Sequence, residues 1–61
     1  MNIAFLSRVM QNRLQSLNNI RSGAVNSGDL ERIVQIDAEI AETEKTIKEL
    51  QYVSSLPLEP T

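Results

Sequence analysis

Two apolar stripes, each stepping by three and four residues, run along this chain on either side of Gly28. On the C-terminal side the stripe is Ile33, Ile36, Ile40, Thr43, Ile47 and Leu50, the a/d seam of a heptad pattern. On the N-terminal side Ile3, Leu6, Met10, Arg13, Leu17, Ile20 and Ala24 repeat the same spacing. Folding the chain at Asn26-Ser27-Gly28 pairs Ala24 with Ile33, Ile20 with Ile36 and Leu17 with Ile40. The same register sets Arg13 against Thr43, Met10 against Ile47 and Leu6 against Leu50. The pattern therefore predicts an all-α fold, an antiparallel two-helix hairpin of coiled-coil type.

The boundaries follow from local signals. The first helix is expected over residues 3–25, with Asn2 able to cap it, and the turn over 26–28. Gly28 suits a left-handed position after a helix, and Asp29 is a good N-cap for a second one. A break at Ser22-Gly23, with Ala24 to Gly28 as a longer loop, is the alternative. The second helix is expected over 29–53, with Glu31 in its first turn and the i,i+4 pairs Glu44–Lys48 and Lys45–Glu49. Pro57 and Pro60 exclude helix from the end of the chain, so residues 54–61 read as an extended tail. Leu56 and Leu58 in that tail either fray with it or dock on a neighbour.

Composition narrows the function classes. With 61 residues the chain makes one small unit. It has no cysteine, histidine or tryptophan, which removes disulfides, the commonest metal ligand and the commonest general base at neutral pH. The carboxylates Asp37, Glu39, Glu42 and Glu44 are dense, but a two-helix hairpin has no cleft in which to perturb them. No catalytic residue, cofactor, metal or small-molecule ligand is expected. Met1 to Leu6 is apolar, yet Arg8 interrupts it too early for a signal peptide, and no stretch approaches a membrane span. A soluble chain is the expectation.

Charge is divided between the halves. Arg8, Arg13 and Arg21 are the only charged side chains before Gly28, whereas all eight acids lie from Asp29 onward against three bases. Opposite signs favour the two helices lying side by side. Arg13 leans inward opposite Thr43, with Glu42 and Glu44 near, so a partly buried ion pair is expected there. Arg13, Thr43 and Glu44 would form a polar layer that fixes register. The three arginines share no face, and no phosphate loop or aromatic platform accompanies them, which disfavours nucleic-acid binding.

One seam between two helices buries little apolar surface for a chain of this length, which predicts a partner. The apolar residues left over after the seam is used are the expected contacts: Phe5, Val9, Leu14, Leu30, Val34, Tyr52, Val53, Leu56 and Leu58. A milder stripe of Leu30, Val34, Ala38 and Ala41 reads either as good helix formers or as a second packing surface. The run Gly28 to Glu44, with its Gly-Asp turn and Asp37-Ala38-Glu39-Ile40-Ala41-Glu42-Thr43, resembles the second half of small helical-hairpin proteins of tailed bacteriophages. That resemblance implies a structural component of a virion, bound to capsid, neck or tail proteins, or an assembly factor, located in the virion or the host cytoplasm. The expectation is thus a non-enzymatic accessory subunit that contacts protein, as sister copies or a larger assembly. A regulatory adaptor or assembly chaperone acting through the same apolar face is the alternative.

Overall fold

The computed structural model describes residues 2–57. It is a helical hairpin: α1 spans Ile3–Ser27 and α2 spans Leu30–Ser55, and the two pack antiparallel against each other. Among the described residues there is no strand.

Each helix starts on a side-chain cap. Asn2 Oδ1 accepts the Phe5 N–H at 3.2 Å, and Asp29 Oδ1 accepts the Arg32 N–H at 3.2 Å. Both caps satisfy an amide that has no partner within its helix. Glu31 places a carboxylate in the first turn of α2, where the helix dipole favours it.

The turn is shorter than the sequence suggests. Asn26 and Ser27 remain helical, and the connection is Gly28 and Asp29 alone. Gly28 has φ 70° and ψ 26°; its N–H bonds to the Val25 carbonyl and that of Asp29 to Ala24. These two bonds form a Schellman motif, which satisfies the terminal carbonyls of α1 while reversing the chain. Asp29 is therefore the last residue of one motif and the cap of the next helix. α1 runs through Gly23 without a break, and a Cβ added there meets nothing within 4 Å. Gly23→Ala should accordingly stabilise the hairpin by about 1 kcal/mol, a rise of roughly 5 °C in thermal midpoint followed by circular dichroism.

At the other end α2 continues two residues past Val53. The Ser54 and Ser55 hydroxyls donate to the carbonyls of Gln51 and Tyr52, at 3.0 and 2.7 Å, within the last turn of the helix. Leu56, before Pro57, is extended with ψ 141°, as the proline ring requires. Ser54 and Ser55 thus belong to α2 and not to the tail. The rest of the expected tail, from Leu58 to Thr61, lies outside the described residues.

The seam of α2 is the expected one. Ile36, Thr43 and Ile47 are buried, and Ile33, Ile40 and Leu50 are half-buried. The seam of α1 differs at alternate rungs. Leu17 and Ala24 are buried, and Ile3, Leu6, Met10, Leu14 and Arg21 are half-buried, whereas Arg13 and Ile20 are exposed. Leu14 and Arg21 therefore take the rungs expected of Arg13 and Ile20. Positions 13 and 14 straddle the seam, and turning leucine inward avoids desolvating a guanidinium. At 20 and 21 the outcome is closer, with Ile20 39% exposed. Arg21 lays its aliphatic stem along the seam and keeps its charged end in solvent beside Asp37.

Candidate interaction surface

The expected polar layer of Arg13, Thr43 and Glu44 is not assembled as an ion pair. Arg13 is exposed on the rim of a groove between the helices, beside Met10, Glu39 and Glu42, and among the described residues has no carboxylate within 4 Å. Glu44 is exposed on another side of α2. Thr43 alone is buried, and its hydroxyl donates to the Glu39 carbonyl at 2.8 Å within its own helix. This hydroxyl needs nothing from α1, and no buried side-chain polar atom among the described residues lacks a partner.

Among the described residues the ion pair that forms is Arg21 with Asp37. Arg21 Nε donates to Asp37 Oδ1 at 2.5 Å, and Nη2 lies 3.4 Å from Oδ2. These residues stand about equally far from the turn, a sequence signal that attention to the seam overlooks. The hydrogen bond from Arg21, with a smaller coulombic contribution, holds the Asp37 carboxyl below its ordinary range. The same bond raises the guanidinium. A carboxyl depressed on folding contributes stability that is complete above its unfolded pKa, about 3.9, and is lost as pH falls through the folded value. Asp37→Asn should therefore unfold at lower urea than the parent at pH 7 and match it at pH 2. Both side chains are nearly half-exposed, so the gap is small. A gap that persists at pH 2 would assign the effect to something other than this pair.

Among the described residues the leftover apolar residues fall into four places. Leu14 is half-buried in the hairpin seam and is consumed there. Phe5 and Val9 sit one turn apart near the start of α1, 61% and 38% exposed. Leu30 and Val34 sit one turn apart at the start of α2 and are the most open, at 75% and 70%. Tyr52, Val53 and Leu56 are exposed at its far end. Leu58 lies outside the described residues. Ile20 and Val25 join the exposed set, which the sequence pattern did not signal because it assigned Ile20 to the seam.

A shallow trough runs from Ala41 to Tyr52 and Val53 at the C-terminal end of α2. Ala41 forms its floor, with Lys45, Lys48 and Tyr52 along it and Glu44 and Glu49 on the flanks. The i,i+4 pairs expected of these lysines are not closed: neither Lys45 nor Lys48 has a carboxylate within 4 Å among the described residues. Their charges are available to a neighbour. Among the described residues no three acidic side chains converge as they would on a metal ion. No described helix is long and apolar enough to cross a membrane.

Comparison of the chain with protein-family models, with curated proteins and with solved structures finds no match. The functional reading therefore rests on this surface.

Proposed function

We propose that this chain is a non-enzymatic interaction module, an accessory subunit that joins a larger protein assembly through its exposed apolar faces. The observation that carries the proposal is the imbalance between what the hairpin buries and what it leaves open. Even its best-buried side chains, Leu17 and Ala24, retain 4% of their surface, while Phe5, Leu30, Val34 and Tyr52 each expose well over half. Isolated exposed apolar residues are ordinary, but an apolar residue repeated at one-turn spacing on each helix is the pattern that partner helices use. A bacteriophage virion is the setting suggested by the resemblance of residues 28–44.

Size-exclusion chromatography of the endogenous chain, in a gentle extract of its source, tests the module reading. The chain is expected to elute in a complex several times its own mass of 6.8 kDa. Replacing Phe5, Val9, Leu30 and Val34 together by glutamine should release it while the helical spectrum is retained. A native chain that elutes alone would overturn the reading.

A further inference from the structure

We infer that one occupant of this surface is a second copy of the chain, docked antiparallel along the outer face of α2 with Ala41 on a two-fold axis. The inference rests on the interaction-module reading and names the partner for one of its faces. At about 100° per residue, Leu30, Val34, Asp37, Lys45, Lys48 and Tyr52 all fall within about 40° of Ala41 around α2. This stripe lies roughly a third of a turn from the hairpin seam, so α1 does not cover it. Its sequence is arranged about Ala41: apolar ends, one acid on the N-terminal side, two bases on the C-terminal side, and a small residue at the centre.

A two-fold axis through Ala41 sets Leu30 against Tyr52 of the second copy, Val34 against the aliphatic stem of Lys48, and Asp37 against Lys45. Each contact occurs twice, as an isologous interface requires. The alternative parallel arrangement sets Asp37 against itself and each lysine against itself, which charge repulsion opposes. The complementarity is matched by the state of the charges in one copy. Among the described residues Lys45 and Lys48 have no carboxylate within 4 Å, and Asp37 is held by Arg21 on the side toward α1 with its side chain nearly half-exposed. Ala41 at the centre lets the two helices approach closely.

The result is a four-helix layer with the α2 pair in the middle and an α1 on either side. Phe5 and Val9 remain open for the larger assembly. A contact limited to one face of a helix about 39 Å long is small by the standard of stable interfaces, so the dimer should dissociate on dilution through roughly the micromolar range.

Sedimentation equilibrium of the purified full chain, from about 1 μM to about 1 mM, tests the inference directly. The expected result is a monomer–dimer transition from the mass of one chain to twice that mass. Ala41→Glu apposes two like charges on the axis and should weaken the dimer about tenfold or more, with the helical spectrum intact because Ala41 is exposed and glutamate is a good helix former. The chain has no cysteine, so trapping is unambiguous. Ala41→Cys should cross-link to itself, and Leu30→Cys should cross-link to Tyr52→Cys when the two chains are mixed, but neither of these to itself. Self-linking of Leu30→Cys, or a dimer unmoved by Ala41→Glu, would overturn the arrangement. A purified chain that stays monomeric throughout would overturn the dimer; if the endogenous chain still elutes in a large complex, the module reading stands without it.

Discussion

Leu17→Ala will cost the hairpin about 3 kcal/mol, the greater part of the stability it has to lose. Leu17 is one of two buried residues on α1 and the only large one, near the middle of the helix. Removing three buried carbons forfeits their transfer free energy and leaves a void that the neighbouring isoleucines close only in part. A chain this small, held by one seam, has roughly 3–5 kcal/mol in total to lose. The measurement is urea unfolding followed by circular dichroism, with Val34→Ala as the reference. Val34 is 70% exposed in the isolated hairpin, so that change should stay within about 0.5 kcal/mol at concentrations where the chain is monomeric. If the two variants behave alike, the seam is not the source of stability.

The contrast between α1 and α2 shows which parts of this fold are legible in the sequence. The seam of α2 reads directly, because isoleucines stand at successive a/d positions and the residues between them are polar. Hydrophobic spacing then has one solution. In α1 the apolar residues are spread more widely: Leu14 adjoins Arg13, Ile20 adjoins Arg21, and Phe5, Leu6 and Val9 crowd the first turns. Two stripes offset by one residue at alternate rungs fit that pattern equally well. Periodicity cannot choose between them, because adjacent positions lie only about 100° apart and the seam falls between them. The choice is made by desolvation at Arg13 and by the partner across the seam at Arg21. The second of these is a fact about Asp37 on the other helix, which a reading of α1 by itself does not contain.

The same distinction governs the candidate surface. Leu30 and Val34 are legible as leftover apolar residues, because α2 has a full seam without them. Leu14 is misplaced only because the α1 seam is displaced. The continuation of the outer stripe through Lys45 and Lys48 to Tyr52 is hidden in the sequence by the lysines, which read as partners for Glu49 and Glu44. Among the described residues those pairs stay open, and Ala41, Lys45, Lys48 and Tyr52 line one trough on the outer side of α2.

The turn carries the second large effect. Gly28→Val should destabilise the hairpin by about 2 kcal/mol, although the Cβ it introduces would meet nothing. A Cβ at Gly28 has no atom within 4 Å, so sterics with the rest of the molecule predict no cost. The cost comes from the backbone, since φ is 70° and a β-branched residue is strained in that region by its own carbonyl and amide neighbours. Relieving the strain would require Gly28 to leave the left-handed region. That would break the Gly28 to Val25 and Asp29 to Ala24 hydrogen bonds and move the Asp29 cap away from Arg32. Gly28→Asn separates conformation from packing, because asparagine tolerates the left-handed region and should lose less than half as much stability. Urea midpoints for the two variants provide the check. Equal losses would mean that the turn resists any side chain, which the open space around Gly28 contradicts.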